Sequence, residues 1–565
     1  MSKVLITSAL PYINGVPHLG HMVGCLLPSD IYARYMRMMG NEVLYIAGTD
    51  EHGTTSEVGA LKEGMDVQSY CDMYHARHAQ TYQDFNLSFD YFGRTSSEQN
   101  KEITYHIFEQ LDKNGFIEER AIKQVYSVDD GMFLADRYIT GTCPHCGYEK
   151  ARGDQCENCT KVLEPTDLIN PKSSVSGSTN LEVRETKHLF LNLPKLEAKL
   201  SEWIKTKEPF WPDVAYTIAQ KWLKEGLQAR CITRDLKWGF PVNKPGYEDK
   251  VFYVWFDAPI GYIGITKQWA DENKSERNWK DWWIDAKDVR HVEFMGKDNV
   301  PYHSITFPAT LLGTGENWTQ VDYLKGMSYL TYEGGKFSKS EKRGVFAEDA
   351  VKDFPADYWR YWLMSNAPEG SDASFSFDLF AAVVNKDLNG VLGNFVSRVL
   401  KMTSSKIGNS VPAGGELTQV EKDLIATLQT KVNDYFKYMN EMEFRKAMNE
   451  LRAIWVEGNN YISTTEPWTV IKTDEARAAA ILRTCINLIR IFAILSAPIM
   501  PTISTSMLAR LGLKTEDMPS LKDFDIAKEI VALQAGTPFE VGEPLFERIT
   551  PEKIDELKQK YGSNK

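Results

Sequence analysis

Val4-Leu5-Ile6-Thr7-Ser8-Ala9 runs into Leu10-Pro11-Tyr12-Ile13-Asn14-Gly15-Val16-Pro17 and then into His18-Leu19-Gly20-His21. The first six residues are β-rich and apolar, and Pro11, Asn14, Gly15 and Pro17 mark a loop. From Leu19, apolar residues recur at Val23, Leu26, Leu27 and Ile31, a helical period that ends at Gly40. Residues 43–47 read as the next strand, with Gly48-Thr49-Asp50-Glu51-His52-Gly53 at its carboxyl end. This opening predicts a parallel α/β sheet, in which ligands sit outside the carboxyl ends of the strands near the switch point. His18, His21 and Asp50 all fall at such ends.

Working outward, residues 116–230 break the α/β rhythm and read as an inserted domain. The pattern returns near Cys231 and continues through Val292-Glu293-Phe294-Met295-Gly296-Lys297-Asp298, again a strand running into Gly and Asp. A smaller element at 325–384 carries Lys336-Phe337-Ser338-Lys339-Ser340 after Gly334-Gly335. From 385 the periodicity is helical: Leu424, Leu428, Val432 and Phe436, then Phe444, Met448, Leu451 and Trp455, predict a bundle over 385–545. The polar residues of 546–565 are expected to form a tail or a fraying helix. The predicted fold class is therefore α/β: a Rossmann-type catalytic sheet (1–115 and 231–324) split by the insertion, followed by an α-helical bundle.

Composition bounds the function. Hydrophobic residues make up 43% and charged residues 25%, the balance of a soluble globular protein. The segment Lys3-Val4-Leu5-Ile6 is too short for a secretory leader, and the apolar stretch 486–500 contains Asn487 and Arg490, so a buried helix and a cytoplasmic protein without a membrane partner are expected. A net charge of −12 argues against a protein that coats nucleic acid non-specifically, yet Lys336, Lys339, Lys342 and Arg343 form one local basic patch.

Three clusters carry chemistry. His18 and His21 lie three apart at a helix start, where side chains share a face and backbone amides favour anions; Gly20 removes a side chain where a base or phosphate could lie. Lys336 and Lys339 are point charges on flexible stems, suited to following a phosphate that moves. Each motif alone is a weak signal. Together they suggest adenylylation, in which a carboxylate needs no general base and catalysis is positioning plus charge neutralisation around a triphosphate with Mg²⁺. Asp50 is the candidate partner for an ammonium group. Cys143-Pro144-His145-Cys146 and Cys156-Glu157-Asn158-Cys159 present four thiolates from two turns. That spacing predicts one structural Zn²⁺ with no open position, and an exposed His145. Cys25, Cys71, Cys231 and Cys485 read as reduced thiols. Val254-Trp255-Phe256-Asp257-Ala258-Pro259-Ile260-Gly261-Tyr262 is an aromatic wall in which Ala258 and Gly261 leave room for a flexible thioether.

These blocks occur in one order: Ser8-Ala9-Leu10-Pro11-Tyr12, the histidine pair, residues 48–54, 253–262, 296–304 and 336–340. In that order the chain resembles the methionyl-tRNA synthetases of class I up to about residue 540, and within them the archaeal/eukaryotic-type branch that some bacteria also carry. The resemblance implies an ATP-dependent ligase that activates L-methionine and transfers it to the 2′-hydroxyl of initiator and elongator tRNA(Met). It implies that Ala9, Leu10, Tyr12, Asp50, Trp255, Ala258, Pro259, Tyr262 and His303 line the methionine pocket, with Arg234 near the activated substrate. It gives His18, Gly20, His21, Gly296, Asp298, Lys336, Ser338 and Lys339 to ATP, with His18, His21, Lys336 and Lys339 catalytic. Asn394, Arg398 and Trp468 would read the anticodon by hydrogen bonds and stacking. Phe337 replaces a methionine of the family pentamer, and Tyr302 and Phe307 replace other aromatics beside the pocket. The extra C-terminal OB-type domain of some members has no counterpart in these 565 residues.

The rivals are weaker. Synthetases for leucine, isoleucine or valine need a large editing insertion, for which 116–230 is too short beside a cysteine cluster. A cysteine enzyme would place its metal in the substrate pocket. A zinc-bearing RNA-binding scaffold would have no reason to keep His18, His21, Asp50 and Lys339 together, and it would bind tRNA without exchanging pyrophosphate into ATP.

Overall fold

The computed structural model describes residues 2–562, apart from 135, 154, 155, 157, 160, 162, 336 and 338–342. The opening apolar run forms the strand Lys3–Ser8, whose last five residues are buried. It is central in a five-stranded parallel sheet, flanked on one side by Glu42–Thr49 and then Tyr91–Arg94, and on the other by Val289–Gly296 and then Tyr323–Met327. The chain first builds outward in one direction, and only after the insertion does it return to the other side. The switch point therefore lies between Lys3–Ser8 and Val289–Gly296, where loops diverge and leave a crevice at the carboxyl ends. Ser8 pairs with Phe294, and the amide of Ala9 still donates to the Phe294 carbonyl (2.8 Å), so the crevice opens at Leu10.

The insertion is built on a long antiparallel pair, Ile117–Ser127 against Leu181–Leu191, in register from Ile117↔Leu191 to Ser127↔Leu181. At its far end a three-stranded sheet of Ala151–Arg152, Ile139–Thr142 and Ile169–Ser173 carries the cysteine cluster. The chain returns through helices Leu193–Lys205 and Asp213–Glu225 to Arg230–Cys231, which pairs with Phe190 and Leu191.

The C-terminal part is helical, with Gln419–Asn440, Phe444–Thr465, Glu475–Ser496 and Pro501–Arg510 as its main members. Among the described residues, Glu475–Ser496 alone is long and apolar enough to cross a membrane, and 89% of its most apolar window is buried inside the molecule. It is a core helix, and Leu488, Ile491, Phe492 and Leu495 are fully buried.

The polar end departs from expectation. Residues 551–560 form the helix Pro551–Lys560, which does not fray: Leu557 is buried, Tyr561 stacks on Phe377 with ring centroids 5.6 Å apart, and the Tyr561 carbonyl accepts from the Gly344 amide. Two aromatic and aliphatic anchors suffice because the other face carries the charges that composition registers, among them Lys558 paired with Asp378 and Lys560 with Asp353.

Candidate active site

The helix that begins at Leu19 is interrupted at once. An α-turn, Leu19–His21, passes into a π-turn, Met22–Leu26, before the regular helix Leu27–Met38. A second π-turn, Tyr302–Thr306, stands at the Val289–Gly296 side of the crevice. Both bulges border the same cleft, as π-turns often do at functional sites. Its wall comprises Ala9, Leu10, Tyr12, His18, Gly20, His21, Asp50, Trp255, Ala258, Pro259, Tyr262, Gly296, Asp298 and His303, joined by Asn14, Cys25, Asn299, Ser328, Tyr329 and Leu330. Every predicted methionine residue except Arg234 is brought together. The Arg234 guanidinium instead lies 3.5 Å from the Tyr253 ring centroid, beside the cleft wall. Lys336, Ser338 and Lys339 lie outside the described residues.

The two histidines are locked by their own backbone. His18 Nδ1 accepts from the Gly20 amide (3.0 Å), and His21 Nδ1 accepts from the His18 amide (3.1 Å). With both Nδ1 atoms accepting, each neutral imidazole carries its proton on Nε2. Burial, aided by His21, holds His18 well below the ordinary imidazole range; desolvation and then His78 lower His21 as well, although its side chain stays open to the cleft. The site therefore offers two neutral N–H donors. This alters the sequence expectation: the amides of residues 18–21 are engaged with His21 Nδ1, Val345 O, His18 Nδ1 and His18 O, so the imidazoles replace them as anion donors. Gly20 acquires a different reason too. A Cβ there would lie 2.7 Å from His18 Cε1, so the glycine admits the capping ring.

Phe337, the second residue of the downstream pentamer, stacks on His18 with centroids 4.6 Å apart and planes 6° off parallel. Backbone bonds fasten the same junction: Leu19 N–H to Val345 O (3.3 Å) and Ala347 N–H to Pro17 O (2.8 Å). Residues about three hundred positions apart thus meet at His18 and Phe337.

Tyr12 and Asp50 are neighbours because the loop after the first strand bridges that after the second: Asp50 N–H donates to Pro11 O, and Ile13 N–H to Asp50 O, both 3.0 Å. Asp50 is 4% exposed and its Oδ1 has no hydrogen-bond partner among the described residues. Burial, then Asp257 and Glu51, raise its carboxyl well above the usual range. An ionised carboxylate buried this deeply needs a cation beside it. Asp257 itself is paired with His52 Nδ1 at 2.5 Å.

Trp255 stacks on Tyr302 at 3.6 Å, with Tyr12 edge-on at 6.2 Å. The His303 Nδ1–H donates to the Asn299 carbonyl (3.0 Å), which leaves Nε2 to accept from the Tyr262 hydroxyl (2.9 Å). Burial lowers His303 to about 4, in keeping with that neutral tautomer. Tyr302 thus packs on Trp255 of the wall, and Phe307 backs Tyr262, at 6.3 Å. Gly261 turns away from the cleft, where a Cβ would meet Thr95 Cγ2 at 2.9 Å; the room expected there is taken by neighbouring packing. Sequence reasoning missed Cys25, although its i+4 spacing from His21 was a usable signal, and Tyr329, for which no local signal exists.

At the cysteine cluster the four Sγ atoms lie within 4.8 Å of one another, with Cys143–Cys159 at 3.8 Å and Cys146–Cys156 at 3.6 Å. A tetrahedron with metal–sulfur bonds of about 2.3 Å has edges of about 3.8 Å, so the donor set fits a four-coordinate metal. Gly147, at φ 72°, turns the first CxxC, and its amide donates to Cys143 O. His145 is exposed, as expected.

In the helical part Arg398 lies 4.5 Å over the Trp468 ring. The helix Phe444–Thr465 stops at Glu466, a left-handed residue at φ 41°, and Pro467 starts the next turn. This corner delivers Trp468 to Arg398, while Asn394 is exposed at the start of Asn394–Lys406.

A parallel sheet whose switch point holds a histidine pair, with Phe337 stacked on His18, is the arrangement of a class I tRNA synthetase. The model of the family "tRNA synthetases class I (M)" matches residues 4–400, and that of the "Anticodon binding domain of methionyl tRNA ligase" matches 411–565. The chain is 53% identical over 571 residues to the methionine–tRNA ligase of Streptomyces avermitilis, covering 100% of this chain and 99% of that protein. It is 53% identical over 572 residues to that of Cereibacter sphaeroides, covering 99% of each. The fold is similar to that of the Mycobacterium tuberculosis methionyl-tRNA synthetase solved with methionyl-adenylate, at TM-score 0.78 and 24% identity over 97% of this chain and 100% of the other. The chain belongs to the methionine family of class I tRNA synthetases.

Proposed function

We propose that the cleft activates L-methionine with ATP and then charges tRNA(Met), with the roles divided as follows. Asp50 takes the ammonium group; Tyr12, Trp255, Ala258, Pro259, Tyr262 and His303 surround the thioether, with the backbone of Ala9 and Leu10 beside it. A carboxylate oxygen of methionine attacks the α-phosphorus, an O–P bond forms, and the bond to pyrophosphate breaks. His18 and His21 donate from Nε2 to the phosphates, Gly296 and Asp298 receive the ribose, and Lys336, Ser338 and Lys339 follow the departing pyrophosphate. Mg²⁺ accompanies ATP as its counterion. The 2′-hydroxyl of the terminal adenosine then attacks the methionyl carbonyl and AMP leaves. Neutral N–H donors serve here by meeting the additional negative charge that shifts onto the leaving pyrophosphate as the P–O bond breaks. The observation that supports this reading most is the stack of Phe337 on His18, a contact between the N-terminal histidine pair and a residue of the downstream block.

The matched anticodon domain supports tRNA(Met), initiator and elongator, as partner, read by Asn394, Arg398 and Trp468. The domain roles follow: catalytic halves at 1–115 and 231–324, insertion at 116–230, pentamer region at 325–384, anticodon reading at 385–545 and a terminal segment at 546–565. The work belongs in the cytoplasm, where tRNA and ATP are supplied and thiols stay reduced. The four-cysteine site would hold Zn²⁺ structurally, since four thiolates leave no position for substrate; metal analysis of the reduced protein should find one zinc per chain, and a folded metal-free protein would remove the assignment.

The test is ATP–pyrophosphate exchange across the twenty amino acids. Methionine should exceed leucine and isoleucine by orders of magnitude; equal exchange would sink the reading.

A further inference from the structure

Two residues past Asp50 the chain makes a buried contact behind the cleft wall. His52 Nδ1 lies 2.5 Å from Asp257 Oδ2, and the two side chains are 4% and 0% exposed. Asp257 stands in the first turn of the helix Val254–Asp271, beside Trp255, Ala258 and Pro259 of the methionine wall. The pair therefore joins the loop that carries Asp50 to the helix that carries the wall. The imidazole is held edge-on by Phe240 at 4.5 Å and Trp238 at 5.6 Å, and the Trp238 indole N–H donates to the Glu51 carbonyl (2.6 Å). The backbone on each side is tied separately. The Glu51 amide donates to Thr95 Oγ1 (3.0 Å), and Asn100 Nδ2 donates to the carbonyls of Thr95 (2.8 Å) and Asp257 (3.2 Å). Asp257 Oδ1 has no hydrogen-bond partner among the described residues. A buried carboxylate in that state is costly, and the imidazole at Oδ2 is the group placed to offset it.

We propose that Asp257 is a positioning residue for methionine: with His52 it latches the Asp50 loop to the wall helix, and its negative charge opposes a second one on Asp50 until the ammonium group arrives. The inference rests on the reading of Asp50 as ammonium partner. The other groups that face Asp50 are already engaged or neutral. Glu51 is paired with Arg94 (2.9 Å), accepts from Thr49 Oγ1 (2.8 Å) and has His75 at 3.8 Å, while Arg94 also meets Asp72 (2.6 Å). Burial pushes the Tyr12 and Tyr262 hydroxyls up, so both stay neutral, and Arg137 acts on Tyr12 from the insertion. Asp257 accordingly opposes ionisation of Asp50 more than Glu51 does. In acid the empty site keeps a proton on Asp50, and the ammonium group sends that proton to solvent when it binds. Methionine affinity and proton release are then linked, with Asp257 setting the pH at which the link acts.

The experiment is calorimetric titration of methionine into the full chain, Asp257→Asn, Asp257→Ala and Asp50→Asn, across the acid and neutral range, in buffers of different ionisation heat. The unaltered chain should bind methionine more weakly as pH falls and release about one proton per methionine there. Asp257→Asn keeps a side chain that can meet His52 and removes the charge. Its acid limb should move down by about one pH unit, which is about tenfold tighter binding at a fixed acid pH, with fewer protons released. Asp257→Ala cannot meet His52 and should bind about tenfold more weakly than Asp257→Asn at every pH. An acid limb and proton count unchanged in Asp257→Asn overturn the proposal, since the pair would then be structural only. Equal binding by the Ala and Asn variants refutes the latch. Absence of proton release from the unaltered chain overturns the proposal even if the variants fail to fold. If Asp50→Asn binds methionine as the unaltered chain does, the fault lies with Asp50 as ammonium partner, and the proposal falls with it.

Discussion

At the scale of single residues the site is organised by groups that burial has made neutral or left unpaired. Asp50 is the clearest. Its carboxyl is raised by burial and by Asp257 and Glu51. In the empty protein the folded state therefore holds a proton that the unfolded chain releases at lower pH. Stability from this group is present in acid and is lost as pH rises from the unfolded value toward the folded one. Asp50→Asn removes that loss, so the variant should melt at a higher temperature than the native chain at neutral pH, in calorimetry. Its methionine KM should rise about a hundredfold or more, since removing one partner of a buried ion pair costs about 3–5 kcal/mol. For the native chain, methionine affinity should weaken as pH falls below the raised carboxyl value, and Asp50→Asn should lack this dependence. A lower melting temperature for the variant would show that Asp50 is paired within the fold.

At the scale of elements, the question is how segments far apart in the chain are held face to face. Phe337 answers it for the pentamer, stacked on His18 and covering Gly344, where a Cβ would lie 2.3 Å from Phe337 Cδ1. A stacked aromatic pair is worth about 0.5–1.5 kcal/mol. Phe337→Ala should therefore slow pyrophosphate exchange by about two- to tenfold while methionine binding by calorimetry is retained, and Phe337→Met, the residue of the family pattern, should restore most of the rate. Equal loss in both variants would mean that the segment is positioned by something else. The strand-turn-helix opening and the two CxxC turns were legible because neighbouring residues set them. The π-turns at 22–26 and 302–306 were not: their apolar spacing reads as an ordinary helix, and the extra residue per turn is imposed by packing on both sides.

At the scale of the whole molecule, one buried guanidinium fastens the parts together. Arg360, fully buried, binds Asp30 Oδ2 (2.7 Å) behind the catalytic sheet, the Phe85 carbonyl (3.1 Å), and the carbonyls of Pro498 and Ile499 (3.0 and 2.7 Å) in the helical part. Asp357, on the same helix as Arg360, accepts from the Ile503 amide. The helical part is thus joined firmly to the sheet, yet the Arg398–Trp468 pair has no place in the cleft wall. This separation makes a prediction. Trp468→Ala should leave methionine-dependent exchange unchanged and lower charging of tRNA(Met) by roughly five- to a hundredfold, as stacking on one base is worth about 1–3 kcal/mol. Impaired exchange would instead mark Trp468 as a packing residue.

The sequence by itself determined the order of elements, the parallel sheet with its switch point, the helical end, the cysteine tetrad and the identity of most cleft residues. Spacing along the chain dictates local conformation, and the ordered blocks carry the family resemblance. Tertiary structure alone decided what each group can do. The tautomers of His18 and His21, the burial of Asp50 with an oxygen unpartnered among the described residues, the docking of Pro551–Lys560 and the place of Arg234 outside the wall are all relations between groups or with the medium around them. Burial and cross-chain hydrogen bonds set protonation and orientation, and both depend on contacts between residues tens to hundreds of positions apart, which no local pattern encodes.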